Sequence, residues 1–70
     1  MDNKQIYSGT FTIERKQVVI DAGENRSGKF LRITEYCNGR RNTCVIPETG
    51  VAQFAESIIK AVEALRGAGK

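Results

Sequence analysis

One alternating run, closed at both ends by turn signals, limits what this chain can become. Lys29 to Cys37 places Phe30, Arg32, Thr34 and Tyr36 on one side of a strand and Leu31, Ile33, Glu35 and Cys37 on the other. Ahead of it stands Asn25-Arg26-Ser27-Gly28, where Gly28 can take a positive φ and Asn25 and Ser27 can bond nearby backbone. Behind it stands Asn38-Gly39, the pair that suits a type I′ turn because both central residues need positive φ. Arg41 to Ile46 is therefore the antiparallel partner. A two-residue loop sets Ile33 opposite Cys44 and Thr34 opposite Thr43; a four-residue loop moves the register by two and keeps the faces. Leu31, Ile33, Cys37, Cys44 and Ile46 then share a core face, and Phe30, Arg32, Thr34, Tyr36, Arg41, Thr43 and Val45 share the opposite one.

Two more strands come before this hairpin. Ile6 to Glu14 is rich in β-branched and aromatic residues, with Gly9 the expected site of a bulge or bend. Arg15-Lys16 is expected to turn the chain into Gln17 to about Gly23, where Val18, Ile20 and Ala22 form one face and Gln17, Val19 and Asp21 the other. The segment Gly23 to Gly28 reads as the next turn. Pro47 cannot donate to a ladder and ends the fourth strand. From Glu48 to Arg66, Val51, Phe54, Ala55, Ile58, Val62 and Leu65 recur at helical spacing, with Glu56 and Lys60 an i, i+4 pair on the polar side. Residues 1–5 and the glycine-containing tail after Arg66 read as loose ends. The expected fold is α+β: a four-stranded antiparallel sheet covered on one face by one C-terminal helix.

Composition narrows the function. Seventy residues make one domain, and a chain of this size buries only about 60% of its unfolded surface. Such folds need a staple. With no histidine and two cysteines, a zinc site, the usual general base and the usual triads lack their residues. Cys37 and Cys44 share a face without opposing one another in either register, so they read as small buried hydrophobes rather than a disulfide. The remaining staple is a second copy, and a homodimer is expected. No catalysis, cofactor, metal or small-molecule substrate is expected. Neither a secretory leader nor a membrane span is apparent, so the expected location is the cytoplasm, including the nucleoid.

Residues 26–41 hold five basic side chains against Glu35 alone, on a chain whose net charge is only +3, so the remainder is net acidic. A basic patch of this kind is a footprint for an anionic partner. Rings and cations on one flat face suit unpaired nucleic acid, since bases stack on rings and phosphates meet cations. Phe30 either stacks on a base or packs in a dimer interface. Arg32 pairs with phosphate or guanine, or only solubilises the face. Asn25 reads a base edge, shapes the turn, or does both. Tyr36 is a second stacking candidate, and Arg40 and Arg41 are phosphate attractors or solvated hairpin charges. The competing reading is a protein-interaction module that uses the same open face.

The run from Val18 to Glu35, with Asp21-Ala22-Gly23-Glu24-Asn25-Arg26-Ser27-Gly28-Lys29-Phe30-Leu31-Arg32 at its centre, resembles the core of a PUR repeat of the Pur-alpha family. Arg41-Asn42-Thr43-Cys44-Val45-Ile46-Pro47 is similar to that family's Arg-Ser-Thr-Ile-Ile-Val-Pro strand, and the resemblance spans about residues 6–65. It implies the β-β-β-β-α, Whirly-like layout, with two repeats intertwined through exchanged helices. One repeat per chain, as in bacterial members, implies a homodimer. It further implies binding of single-stranded DNA and RNA, purine-rich by preference, in control of transcription, replication or mRNA use. Residue by residue, it assigns base contact to Asn25, stacking to Phe30, and cationic contacts to Arg32 and Lys29. Gly23 departs from a lysine common in the family, a charge that Arg26 can supply nearby. The expected contact set is Asn25, Arg26, Lys29, Phe30, Arg32, Thr34, Tyr36 and Arg41.

Overall fold

The computed structural model describes residues 3–68. The order is β1 (Lys4–Ile13), β2 (Lys16–Asn25), β3 (Gly28–Cys37), β4 (Arg40–Pro47) and α1 (Glu48–Ala68). The strands form one antiparallel meander in the order β1-β2-β3-β4. At Asn38-Gly39 both residues take positive φ, 52° and 75°, so the loop has two residues and Ile33 faces Cys44. Both faces of β3 and β4 are populated as expected.

Several boundaries differ. The first turn is Glu14-Arg15, with Glu14 at φ 54°, and Lys16 already pairs with Ile13. The bulge lies at Ile6, between Gln5 and Tyr7. Gly9 stays in the ladder opposite Ile20, and its missing side chain leaves room for the Tyr7 ring. The second turn is only Arg26-Ser27, so Gly23 belongs to β2. Asn25 makes this tight turn possible, its Oδ1 accepting the Ser27 backbone N–H at 2.8 Å. The chain is ordered into β1 from Lys4, and α1 passes through Gly67 to Ala68. Residues 1, 2, 69 and 70, parts of the expected loose ends, lie outside the described residues.

The larger difference concerns the helix. Pro47 still pairs with Phe30 at the end of β4, and α1 starts at the next residue. No connecting loop turns the helix back across the sheet. It touches β3 and β4 and neither β1 nor β2. Gly50, Val51 and Phe54 are half-buried; Ile58, Ile59, Val62 and Leu65 are exposed, Leu65 by 74%. Among the described residues, no large hydrophobic side chain is buried. Cys44 is exposed and Cys37 half-buried, both as free thiols, so the expectation of buried cysteines fails because the helix does not reach over them. The Cα radius of gyration is 14.3 Å, against about 11 Å for a compact chain of this length. The accessible surface is 5860 Å², against about 4,400 Å² for a compact 7.8 kDa protein.

Ladder contacts hold the sheet together. On the helix side, Lys16 of β2 reaches Glu35 of β3 at 2.7 Å. The hydrogen bond from Lys16, then its charge, holds the Glu35 carboxyl below its ordinary value, and the same contact raises Lys16 above its own. On the other side, Gly23 lies opposite Phe30, and a Cβ on it would stand 3.0 Å from the ring and 3.1 Å from the Lys4 carbonyl. The ring therefore leans across β2 because position 23 has no side chain.

Two outcomes follow from these contacts. The Lys16–Glu35 contribution is complete between the two ordinary pKa values. It is lost as pH falls through the lowered Glu35 pKa and as pH rises through the raised Lys16 pKa. Glu35→Gln is expected to flatten the acid limb of a plot of melting temperature against pH, by a small amount because the pair is solvated. Gly23→Val is expected to cost about 1–3 kcal/mol in denaturant unfolding through overpacking, and to shift the Phe30 ring resonances.

Candidate nucleic-acid interface

The register sorts the open face into four lateral rows. The first holds Gln5, Gly23, Phe30 and Pro47; the second Ser8, Asp21, Arg32 and Val45. The third holds Thr10, Val19, Thr34 and Thr43; the fourth Thr12, Gln17, Tyr36 and Arg41.

The second row is tied together by polar contacts. Ser8 Oγ donates to Asp21 Oδ1 at 2.7 Å, and Arg32 Nη2 lies 3.4 Å from Asp21 Oδ2. The guanidinium carbon of Arg32 stands 5.8 Å from the centroid of the Phe30 ring, within cation–π range. The cation is thus flanked by a carboxylate and a ring, while its side chain remains 46% exposed. Asp21 was not among the expected site residues. Placing the second turn at Gly23–Gly28 hid it; a turn at Arg26-Ser27 pairs Asn25 with Gly28 and, four rungs on, Asp21 with Arg32.

Phe30 stands between two open hollows. One, of about 240 Å³, is lined by Gln5, Asp21, Gly23 and Arg32. The other, of about 180 Å³, is lined by Asn25, Ser27, Val45 and Pro47. Both fall below the ~300 Å³ at which small-molecule sites usually begin, and both have the ring as a wall. A third hollow beyond Arg32, about 370 Å³, is lined by Val19, Thr34, Tyr36 and Arg41.

The expected residues are thus only partly gathered. Asn25, Phe30 and Arg32 cluster around the first two hollows, and Tyr36 and Arg41 form a cross-strand pair at the far end. Six residues of strand, about 20 Å, separate Phe30 from Tyr36. Thr34 is only 6% exposed and serves as floor more than as contact. Lys29 and Arg40 have the opposite parity, with register partners Glu24 and Cys37, and fall on the helix side. Arg26 sits at the tip of its turn. Among the described residues, no group of three or more acidic or cysteine side chains could hold a metal ion.

Comparison with known proteins matches the sequence to a family. A family profile described as PurA ssDNA and RNA-binding protein covers residues 2–65. Purine-rich element-binding protein gamma from human is 33% identical over 66 residues, 93% of this chain and 19% of the relative. Its mouse counterpart matches equally. Transcription factor Pur-alpha 1 from Arabidopsis thaliana is 31% identical over 52 residues, 74% of this chain and 18% of the relative. The chain thus spans about a fifth of the length of these relatives. With four antiparallel strands, one following helix and a matching profile over nearly its whole length, the chain belongs to the PurA family of single-stranded DNA- and RNA-binding proteins.

Proposed function

We propose that two copies of this chain form one binding unit that grips purine-rich single-stranded DNA or RNA across its open sheet faces, without catalysis, and that it regulates transcription or mRNA use. The observation that carries the binding mode is the Phe30 ring, set between two hollows with the Arg32 guanidinium beside it. One base in each hollow sandwiches the ring, at roughly 1–3 kcal/mol per stacked base. Purines offer the larger stacking surface. Asn25 borders one hollow; its Oδ1 serves the turn, so contact with a base falls chiefly to its Nδ2 donors. Arg32 and Arg41 supply phosphate contacts along β3 and β4, and Tyr36 extends the track. The regulatory role draws on the relatives, whose names speak of purine-rich elements and of transcription. The site of action is the cytoplasm or the nucleoid.

The second copy is supported by surface area. The chain exposes about 1,500 Å² more than a compact protein of its mass. Two such chains would hide about 3,000 Å² against each other, inside the ~2,000–5,000 Å² range of obligate homodimers. The material is complementary: an exposed helix stripe of Ile58, Ile59, Val62 and Leu65, and an uncovered sheet side with Tyr7, Phe11 and Ile13. Under two-fold symmetry each helix covers the bare half of the other sheet.

Binding to a purine-rich oligonucleotide is expected to weaken steeply with salt, with Phe30→Ala costing about 1–3 kcal/mol at unchanged slope and Arg32→Ala lowering the slope by about 0.7. Absence of binding at low salt ends this reading. In sizing, the protein is expected to run at twice its chain mass. Ile58→Asp is expected to lower the unfolding midpoint well beyond the ~0.5 kcal/mol of an ordinary surface change; a monomer indifferent to it would exclude the dimer.

A further inference from the structure

The open face contains one feature that phosphate binding does not explain. By register, Asp21 is the only acidic residue on that face among the described residues, and it lies in the second of four rows, beside Phe30. A carboxylate there repels the phosphates that Arg32 attracts. It also lines the 240 Å³ hollow against the Phe30 ring, which is where a stacked base has its edge. We infer that Asp21 is the residue that selects guanine, accepting hydrogen bonds from the edge of the base held in this hollow. The inference rests on the binding mode proposed above and adds the chemistry of its specificity.

An ionised carboxylate only accepts, and its two oxygens have about four acceptor positions between them. Ser8 fills one on Oδ1, and Arg32 approaches one on Oδ2 at a loose 3.4 Å. Two positions therefore remain, one on each oxygen. The Watson–Crick edge of guanine offers two adjacent donors, N1–H and the N2 amino group. Adenine offers one donor beside the acceptor N1, cytosine one beside the acceptor N3, and thymine or uracil a single N–H between two carbonyls. Only guanine matches two parallel acceptors without an acceptor–acceptor clash. Unpaired strands leave that edge free to be read. Ser8 and Arg32 hold the carboxylate from both sides, so its orientation is set before the base arrives.

The test uses short thymine strands carrying one central guanine, inosine, 7-deazaguanine or adenine, bound to the wild-type protein and to Asp21→Asn. Inosine lacks only the N2 amino group, and 7-deazaguanine only the N7 acceptor. Wild type is expected to lose about tenfold in affinity from guanine to inosine, more to adenine, and nothing to 7-deazaguanine. Asp21→Asn, with one acceptor and one donor in the same shape, is expected to erase the inosine penalty and raise adenine relative to guanine. An equal inosine penalty in both proteins overturns the assignment. So does a 7-deazaguanine penalty without an inosine penalty, which would hand the reading to Arg32. Should the variant not fold, the wild-type series decides alone: equal affinity for guanine and inosine refutes the role of Asp21. Wild type that binds all four strands alike, or binds none of them yet binds a purine-rich strand, sinks only this assignment; wild type that binds no purine-rich strand at low salt removes the parent reading as well.

Discussion

The join between Pro47 and Glu48 governs the rest of the structure. A proline on an edge strand loses no ladder bond, and a helix that starts at the next residue has no slack in which to fold back. The helix therefore leaves the sheet after about two turns, and an apolar stripe that would ordinarily close a core stays bare. Half a core lies on the sheet and the other half on the helix, and one chain does not bring them together. The same join leaves the opposite side of the sheet free, since no element among the described residues turns that way.

That opposite side is shaped by absences as much as by groups. Gly23 provides the space into which Phe30 leans, and the ring then provides a wall for two hollows and a surface for Arg32. Asp21 and Ser8 complete the arrangement from the neighbouring strands. The face is thus a set of mutually positioned groups rather than a scatter of surface charge. The cations are less concentrated than their sequence spacing suggests. Alternation sends Lys29 and Arg40 to the helix side, and only Arg32 and Arg41 remain on the face itself, with Arg26 at its rim.

Much of this was legible from the residues. Asn38-Gly39 determined one register, and with it both faces of β3 and β4, because a period of two leaves no freedom once a turn is placed. The ring-and-cation face and the amphipathic helix were visible for the same reason. Glu14 in a left-handed conformation was not, since glutamate carries no signal for it. Nor was the tight Arg26-Ser27 turn, because Gly23 looks like a turn residue until its packing against Phe30 is known. That one misplacement concealed the Asp21–Arg32 pair. The reach of the helix was illegible for a different reason: apolar periodicity marks a stripe, not whether the chain's own sheet lies against it.

The meander has a kinetic consequence. All three ladders join strands adjacent in the chain, through turns of two residues. Closing such short loops costs little entropy, so the zipping of hairpins needs no distant encounter. The sheet can take shape at the pace of local events, microseconds per hairpin. Zipping alone does not hide the apolar side that carries Tyr7, Phe11 and Ile13, so a finished sheet still presents the kind of surface on which chains aggregate.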